Sequence, residues 1–429
     1  MGMKVLLVGG GGREHALAWK IAQSPLVEKL WCAPGNPGIA QHAECVPIQA
    51  EAIEELTVFA QTHWIDLAVI GPEAPLTLGL SDRLRQGGIA VFGPSMAAAQ
   101  LEGSKAFMKD LLARHRITTA AYRIFRDPAE ARAYVAEQGA PIVVKTSGLA
   151  AGKGAIVCAT LEEAFEAIDR IMVQREFGSA GDEVVVEGFL SGEEASLLAF
   201  VDGERVLPLA GAQDHKAIFD GDRGPNTGGM GAYSPALALT PTLVERAVKE
   251  IILPTVQAMA SEGNPYRGIL YAGLMIDGDE LSILEYNVRF GDPECQPLLM
   301  RMRSDIIPFL LACANGSLAG MTIDWDPRAA LCVVLAAQGY PGSYPKGDVI
   351  EGLDLAATVA DTVVFHAGTR SQEGRIVTAG GRVLGVTALG DGVAAAQTRA
   401  YEAVAAIQWP GVQYRRDIGY RAVARERTN

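Results

Sequence analysis

The sequence predicts an α/β protein that begins with a doubly wound parallel sheet, for three reasons. Over the first hundred residues, short apolar runs alternate with helix-like segments, which is the pattern of a parallel sheet covered on both faces. Each of these apolar runs ends in a loop rich in glycine or proline. Later apolar runs are joined by tight glycine turns, which is typical of hairpins. From about residue 324 the chain is strand-rich, with one late helix near 393–407.

The composition limits the classes of partner. The 429 residues are 49% hydrophobic, enough to bury the cores of about two to four domains. The formal charge of −13 argues against binding to nucleic acid or to a membrane, since both need a basic surface. The N-terminus lacks the pattern of a signal peptide, and no apolar run is long enough for a membrane helix. The six cysteines form no C-x-x-C pair, so we expect a cytoplasmic protein with reduced thiols.

The N-terminal sheet is expected to contain four strands, at Val5–Val8, Lys29–Cys32, Leu67–Ile70 and Ile89–Phe92. Helices are expected between them, at Glu14–Gln23, Ala52–Thr62 and Leu78–Gln86. The loops after the strands read GGGG, APGNPG, GPEAP and GPS. Because ligands bind beyond the carboxyl ends of parallel strands, these four loops are predicted to converge on one site.

The glycine run Gly9–Gly12 lies between the first strand and the first helix, where many proteins hold a phosphate group. It does not fit the dinucleotide fingerprint G-x-G-x-x-G, because Glu14 or His15 stands where the third glycine belongs. The later segment GLAAGKG fails the spacing of a Walker A loop. The run therefore predicts either a phosphate site of another kind or a tight turn without a ligand.

A second glycine-rich loop, residues 147–154, joins two strand-like runs. Lys145 ends the apolar run before it, and Lys153 lies within it. Glycine-rich backbone can approach phosphate oxygens closely, and a lysine at a strand end adds a positive charge on a fixed support. The alternative is a solvated hairpin with ordinary surface lysines.

The segment ILEYNVRFGDPE has the alternation of a half-buried strand. Glu285, Asn287 and Arg289 are expected on one face, with Leu284 and its alternating partners Tyr286, Val288 and Phe290 in the core. A carboxylate and an amide oxygen two residues apart suit Mg²⁺, and the arginine suits a carboxylate or phosphate. The alternative is a solvated polar face.

Three further segments complete the expected elements. Residues 214–235 are predicted to be a long glycine- and aspartate-rich loop, too long for a simple turn. A helix is expected at Pro241–Ser261. A hairpin is expected to turn at Asp277 and Gly278.

Taken together, these pieces resemble the glycinamide ribonucleotide synthetases of the ATP-grasp superfamily. The resemblance rests on eight motifs in order, GGREHALAW, APGNPG, GPEAPL, FGPS, AAQLEGSKAFMK, GLAAGKG, GPNTGGMGAYSP and RFGDPE. It covers nearly the whole chain and indicates the monofunctional form. It implies an N-terminal substrate-binding domain (1–103), a small ATP-grasp lobe with the glycine loop (104–190), a large lobe with the metal site (191–323) and a C-terminal domain (324–429).

The resemblance also implies an activity. ATP would phosphorylate the carboxylate of glycine, and the amine of 5-phosphoribosylamine would attack the acyl phosphate. The products would be glycinamide ribonucleotide, ADP and phosphate, in purine biosynthesis. Mg²⁺ or Mn²⁺ is implied as the metal, and a monomer is expected, with a dimer as the alternative. The competing functions are another ATP-grasp carboxylate–amine ligase and a non-catalytic nucleotide-binding protein.

By the same resemblance, most site residues are assigned to ATP. Lys105 and Lys145 would contact its phosphates, and the loop residues assigned to it are Gly148, Gly152, Lys153 and Gly154. The adenine would lie beside Glu187, Phe189 and Leu190, and Glu194 would hold the ribose. Without the family pattern, both glutamates could be ordinary exposed acids. The metal would be bound by Glu285 and Asn287.

The remaining assignments concern the other substrates. Arg289, Asp292 and Lys145 are the expected catalytic residues, with Arg289 steadying the glycyl phosphate. Asp214 and Asp292 are candidates for the amine-bearing substrates. The sugar phosphate is expected at the glycine run and the strand ends next to it, on Gly10, Gly11, Gly12, Arg13, Asn36 and Glu73.

Overall fold

The computed structural model of this protein describes residues 2–150 and 152–428. In these two ranges, no helix is long and apolar enough to cross a bilayer.

The N-terminal part is a five-stranded, wholly parallel sheet, so the α/β prediction is confirmed. From one edge to the other, its strands are Glu44–Cys45, Val27–Pro34, Met3–Gly9, Leu67–Ile70 and Ala90–Phe92. Its helices are Gly12–Ile21, Ile53–Thr62, Glu73–Thr77, Leu80–Gln86 and Gln100–Gly103. The edge strand and the helix that begins at Glu73 were not predicted, because elements of two to five residues show no periodicity.

A small antiparallel lobe follows, with a hydrophobic core of its own. In sheet order its strands are Tyr122–Phe125, Val184–Gly188, Ile142–Thr146 and Ala155–Cys158, and its main helices are Pro128–Gln138 and Leu161–Ile168. The strand–loop–strand prediction around the second glycine loop is thus confirmed. The helix Lys105–Arg114 packs elsewhere, because its buried Met108 and Leu111 belong to the core shared by the N-terminal sheet and the large lobe.

The large lobe contains a four-stranded sheet ordered Val206–Pro208, Glu193–Asp202, Arg267–Asp277 and Glu280–Asn287. The last two strands form the predicted hairpin. Residues 241–261 form the predicted helical segment, with a π turn at Val248–Ile252 between Pro241–Ala247 and Leu253–Ser261. Two further helices, Cys295–Arg301 and Ile307–Asn315, follow the RFGDPE segment.

The long loop expected at residues 214–235 is mostly strand, so that prediction was wrong. Ala217–Phe219 pairs with Arg223–Asn226, and Gly231–Ser234 joins a larger sheet. The hairpin is possible because Gly221 and Asp222 both have positive φ angles, 69° and 55°, which reverse the chain within a few residues.

The C-terminal strands share one sheet with the large lobe. In order, that sheet contains Gln213–Asp214, Gly231–Ser234, Ala329–Ala336, Arg382–Gly390 and Thr362–His366. A hairpin of Thr369–Gln372 and Arg375–Thr378 lies beside it, with the helices Leu353–Ala356, Val393–Ala406 and Tyr420–Glu426. Because the sheet crosses the boundary predicted at 323/324, the C-terminal segment is connected through the strand Gly231–Ser234 to the strand that carries Asp214.

Candidate active site

One cavity of about 580 Å³ lies where the N-terminal sheet, both lobes and the C-terminal segment meet. Most of the predicted site residues line it, namely Arg13, Glu73, Lys105, Lys145, Gly152, Lys153, Gly154, Glu187, Phe189, Leu190, Glu194, Asp214, Glu285, Asn287, Arg289 and Asp292. Five predicted residues are absent from its wall, namely Gly10, Gly11, Gly12, Asn36 and Gly148.

Two buried lysines, of which Lys145 lines the cavity, are held by one buried carboxylate. Glu187 is 2% exposed, and its Oε2 lies 3.0 Å from Lys145 Nζ and 2.9 Å from Lys109 Nζ. The interpretations of Lys145 as a surface lysine and of Glu187 as an exposed acid are therefore wrong. No hydrogen-bond partner for Glu187 Oε1 is found in the part of the chain that the structure describes. Lys109 was missed, although it stands in the quoted motif AAQLEGSKAFMK.

Lys105 starts a helix that Ser104 caps, with the Ser104 hydroxyl accepting a hydrogen bond from the Phe107 N–H. Its ammonium is 3.5 Å from the carbonyl oxygen of Gly148, so Gly148 contacts a predicted ATP lysine from outside the cavity. Burial lowers the pKa of Lys105, although nearby carboxylates, Glu285 first among them, act in the opposite direction. A partly buried cation with few direct partners is suited to binding an anion.

The strand Glu280–Asn287 has a bulge that sequence alternation could not predict. The register shifts opposite Gly273 and Leu274, which pair with Glu285 and Ile283. As a result Leu284 lines the cavity together with Glu285 instead of packing in the core, so the prediction for Leu284 was wrong. Its carbonyl oxygen accepts a hydrogen bond from Lys145 Nζ at 3.2 Å.

A lysine that was not predicted lies among the acidic side chains near Glu285. Lys216 pairs with Glu194, and its Nζ is 3.9 Å from Glu285 Oε1. Burial opposes ionisation of Glu285, but Lys216, Lys145 and Lys105 outweigh it and lower the pKa of Glu285. Burial, with help from Glu294, raises the pKa of Asp214 to about 8 against the opposing effect of Lys216. Asp214 is thus a carboxyl that can accept a proton near neutral pH.

The fit of a divalent cation depends on Glu285 and Asn287, whose side chains both line the cavity. They offer one carboxylate and one amide oxygen, the hard donors that Mg²⁺ prefers. No group of three or more His, Cys, Asp or Glu side chains in residues 2–150 and 152–428 is arranged to bind a metal. The pair fits a cation that takes its other ligands from phosphates and water.

Arg289 is fixed by two carboxylates. Its Nη2 donates to Glu102 Oε1 at 2.7 Å and its Nε to Glu73 Oε2 at 3.3 Å. Burial opposes ionisation of Glu73, yet Arg289 and Arg13 outweigh it and hold the pKa of Glu73 at about 2. For Glu102, burial dominates and raises its pKa to about 7. Glu102 was missed, and its position within the LEGSK motif was the only signal for it.

Asp292 connects the RFGDPE turn to the C-terminal segment. Its carboxylate accepts hydrogen bonds from Gln296 Nε2 at 2.8 Å and from Arg382 Nη2 at 3.2 Å. Arg382 comes from the last long strand of the C-terminal sheet and lines the cavity. Arg382 was not predicted, because nothing near it in the chain marks it as functional.

Gly152, Lys153 and Gly154 of the second glycine loop line the cavity. Gly152 has a φ of 77°, and a side chain there would come within 3.0 Å of the Thr227 carbonyl oxygen. Lys153 is exposed and donates to the Pro341 carbonyl oxygen at 2.7 Å, so its ammonium is engaged by the C-terminal segment. Gly154 is buried against Thr146, where a side chain would clash with the threonine hydroxyl at 2.5 Å.

The cavity has an apolar mouth beside the strand that ends at Gly188. Phe189 is 46% exposed and Leu190 is half-buried, and both line the cavity with Val143, Val157 and Met275. Apolar walls on two sides of a narrow cavity suit a flat aromatic ring.

The glycine run at Gly9–Gly12 is required by packing. A side chain on Gly10 would come within 2.7 Å of the Gly35 carbonyl oxygen, and one on Gly12 within 2.8 Å of Gln296 Nε2. The Gly11 N–H is 2.7 Å from Glu14 Oε2, which caps the helix that follows.

Asn36 does not face the cavity as predicted. It is buried, and its amide donates to the carbonyl oxygens of Gly10 and His366 and accepts from the N–H groups of Gly38 and Ile39. Its amide therefore holds the glycine run to the C-terminal segment.

His15 also joins the N-terminal part of the chain to the C-terminal strand Thr362–His366. Its Nδ1 accepts a hydrogen bond from the His366 N–H at 2.7 Å, which requires a neutral imidazole. Burial and the nearby imidazoles of His366 and His42 lower the pKa of His15 to about 2, and burial lowers that of His366 to about 4. Both groups therefore stay neutral in the fold but bind protons in the unfolded chain below their ordinary pKa of 6.5.

We therefore expect the free energy of unfolding to fall as pH drops below about 6.5, by about 1.4 kcal/mol per pH unit for each such group. His15→Asn should show a shallower fall than the wild type. Urea unfolding followed by circular dichroism at a series of pH values measures both slopes. His115→Asn changes a surface imidazole and serves as the control. Equal slopes for wild type and His15→Asn would contradict the role of His15.

Comparison with known proteins adds three matches to one family. Residues 3–102 match the N domain of phosphoribosylglycinamide synthetase, residues 103–295 its ATP-grasp (A) domain and residues 330–421 its C domain. The phosphoribosylamine–glycine ligase of Rhizobium meliloti (strain 1021) is 58% identical, over 99% of this chain and 100% of its own. That of Vibrio parahaemolyticus is 57% identical, over 99% of both chains.

Solved structures show the same architecture. The phosphoribosylamine–glycine ligase of Thermotoga maritima superposes with a TM-score of 0.85 at 33% identity, over 97% of this chain and 100% of its own. The biotin carboxylase domain of the Hydrogenobacter thermophilus 2-oxoglutarate carboxylase has a TM-score of 0.74 at 18% identity, over 96% of this chain and 92% of its own, which speaks for the fold alone.

Proposed function

The chain belongs to the phosphoribosylglycinamide synthetase family, and we propose that its cavity joins glycine to 5-phosphoribosylamine at the expense of ATP. The glycine carboxylate attacks the γ-phosphorus and releases ADP, and the sugar amine then displaces phosphate from the glycyl phosphate. The product is glycinamide ribonucleotide, and the bond formed is a carbon–nitrogen bond of purine biosynthesis. The observation that carries this proposal is the meeting of Lys105, Lys145, Glu285, Asn287 and Arg289 in one cavity.

We assign the ATP site to the wall formed by the two lobes. Lys105 and Lys145 neutralise the phosphates, because phosphoryl transfer needs charge compensation and alignment more than covalent help. Glu187 keeps Lys145 in place through the 3.0 Å ion pair. The adenine packs at the apolar mouth beside Phe189 and Leu190, and Glu194 accepts from the ribose hydroxyls.

Glu285 and Asn287 are the residues that would bind Mg²⁺ or Mn²⁺. When bound, the cation supplies charge neutralisation at the phosphate oxygens. The lysines around Glu285 keep its carboxylate ionised, as a ligand must be.

The acyl-transfer end of the cavity is assigned to Arg289, Asp292 and Asp214. Arg289 binds the glycine carboxylate and then the glycyl phosphate, since a guanidinium matches both oxyanions. Asp214 accepts a proton from the attacking amine, which its raised pKa favours. Asp292 lies between this region and Gly11 and Gly12, near which we place the sugar phosphate.

The position of Gly152, Lys153 and Gly154 in the cavity wall suits the chemistry, since residues that cover the cavity exclude the water that would hydrolyse the acyl phosphate. The cysteines are free and mostly buried, which favours a reducing compartment such as the cytoplasm.

Gly152→Val should weaken ATP binding about tenfold or more, because the new side chain meets the Thr227 carbonyl and keeps the loop from closing. Gly139→Val is the matched control. Gly139 has a similar φ of 82° in the same lobe, but a side chain there meets nothing within 4 Å. Calorimetric titration with a non-hydrolysable ATP analogue measures both variants. An unchanged dissociation constant for Gly152→Val would remove the loop from the ATP site.

The deciding experiment is an assay of the purified protein with ATP, Mg²⁺, glycine and freshly made phosphoribosylamine. We expect ADP release that depends on both co-substrates and a product with the mass of glycinamide ribonucleotide. ADP release with a different amine or acid would indicate another ATP-grasp ligase. Nucleotide binding without any turnover would indicate a non-catalytic protein.

A further inference from the structure

Arg382 is a cationic residue of the cavity wall that no assignment above uses. Its Nη1 donates to the carbonyl oxygens of Gly228 and Asp292, each at 2.6 Å, and its Nη2 donates to Asp292 Oδ2 at 3.2 Å. A side chain on Gly228 would come within 3.1 Å of its central carbon, so Gly228 covers one face of the guanidinium. The guanidinium of Arg382 is therefore held by hydrogen bonds at its two Nη atoms and by Gly228 over one face.

The other edge of the guanidinium is free. A guanidinium carries five N–H donors in a planar fork, and Nε with the nearer hydrogen of Nη2 forms its side-on edge. In residues 2–150 and 152–428, no hydrogen bond from Arg382 Nε is found, and Nε is not among the side-chain nitrogens sealed from solvent without a partner. Arg382 lines the cavity, and a side-on edge with a free Nε matches two oxygens of a carboxylate or phosphate.

The position of Arg382 narrows the choice among the oxyanions of the reaction. Its partner Asp292 lies close to the glycine run, since side chains on Gly12 and Gly11 would lie 3.5 and 3.8 Å from its oxygens. Lys105 and Lys145 are already assigned to the ATP phosphates, and Arg289 to the glycine carboxylate. The phosphate of phosphoribosylamine is at the opposite end of the sugar from its amine, so it needs a cation away from these groups.

We propose that the side-on edge of Arg382 binds the 5-phosphate of phosphoribosylamine, so that the C-terminal segment selects the phosphorylated sugar. This inference rests on the proposed function and adds a specificity residue to it. Asp292 neutralises part of the arginine charge and fixes its orientation, and the phosphate dianion meets the edge that remains. Binding of the sugar thus connects the C-terminal sheet, the RFGDPE turn and the Gly228 loop.

The test is steady-state kinetics of Arg382→Lys, which keeps the charge and loses the fork. We expect KM for phosphoribosylamine to rise about 10- to 100-fold, as for the loss of a charge-assisted hydrogen bond, while KM for ATP and for glycine stays unchanged. Arg375→Lys is the control, because Arg375 is exposed at the start of a neighbouring strand. Calorimetry with ribose 5-phosphate and with ribose should show that only wild type and Arg375→Lys distinguish the two sugars.

An unchanged KM for phosphoribosylamine in folded Arg382→Lys would overturn the proposal, and so would an equal rise in KM for ATP. Arg382→Gln is the second variant, because its amide can still donate to one of the two carbonyls. A crystal structure of the wild type with ribose 5-phosphate tests the proposal without any substitution, and phosphate oxygens bound away from Arg382 would refute it. Absence of product from the wild type would instead refute the proposed function, and this inference with it.

Discussion

Replacing Glu285 by glutamine should lower kcat on the order of 10²- to 10³-fold, the largest effect expected of any single substitution here. The change keeps the size of the side chain and removes the charge that Lys216, Lys145 and Lys105 surround. Without that carboxylate the site loses its only ionised ligand for the proposed cation, and the transferring phosphoryl group loses the compensation that the cation supplies. Initial rates at saturating ATP and glycine, over a series of Mg²⁺ concentrations, measure the loss.

Glu280→Gln is the matched control, because Glu280 begins the same strand and is exposed. It should leave both turnover and stability unchanged. Circular dichroism should show that Glu285→Gln is folded, since Glu285 packs in no core and its side chain is 29% exposed. Near-normal turnover of Glu285→Gln, or its failure to fold, would make Glu285 a structural acid rather than a metal ligand.

Replacing Arg289 by alanine should cost about 3–5 kcal/mol of unfolding free energy at neutral pH, as well as activity. The substitution leaves two buried carboxylates, Glu73 and Glu102, without the guanidinium that lies 3.3 and 2.7 Å from them. Urea unfolding measures the loss. Arg246→Ala is the control, because it breaks a surface ion pair with Glu250 and should cost less than about 1 kcal/mol.

The unfolding free energy that Arg289→Ala loses should depend on pH, and the sign of that dependence is fixed. Glu102 has a folded pKa of about 7, above its ordinary 4.5, so it favours the folded state more as pH falls through 7. Without Arg289, both carboxyls take up protons more readily in the fold, and their mutual repulsion disappears. The stability deficit of Arg289→Ala should therefore shrink as pH is lowered from 7 toward 5. A deficit that stays constant, or grows, over this range would contradict the assignment of the two carboxylates.

Adding Glu73→Gln to Arg289→Ala should recover part of the lost stability, because it removes one of the unpaired charges. If the effects of Glu73→Gln and Arg289→Ala on the free energy of unfolding simply add, Glu73 and Arg289 are not coupled.

Predictions from the local sequence pattern worked well where an element is a contiguous apolar run or a long periodic segment. Leu67–Ile70 is a strand with the predicted bounds, and the helical segment 241–261 also begins and ends as predicted. They failed at Leu284, where a bulge places two consecutive side chains in the cavity, because a bulge depends on the partner strand. They failed at residues 214–235 because the strands there are short and pair across a glycine turn.

The site residues also fall into two groups, those that the sequence identifies and those that only the fold identifies. Lys145, Glu285, Asn287 and Arg289 could be named from the chain because each stands at the end or on one face of a recognisable strand. Lys109, Lys216 and Glu102 could not be separated from neighbouring residues of their motifs, because their significance is the carboxylate or guanidinium that each meets in the fold.

By itself, the sequence determined the α/β class, the order of the elements and the family, because periodicity and motif spacing are properties of contiguous residues. Only the tertiary structure decided that the Asn36 amide hydrogen-bonds to the glycine run and to His366. It also decided that Glu187 is a buried partner of two lysines and that Arg382 lines the cavity. The physical reason is that burial, charge compensation and hydrogen-bond partners are set by residues far apart in the chain, as in the contact between Asp292 and Arg382, which are 90 positions apart.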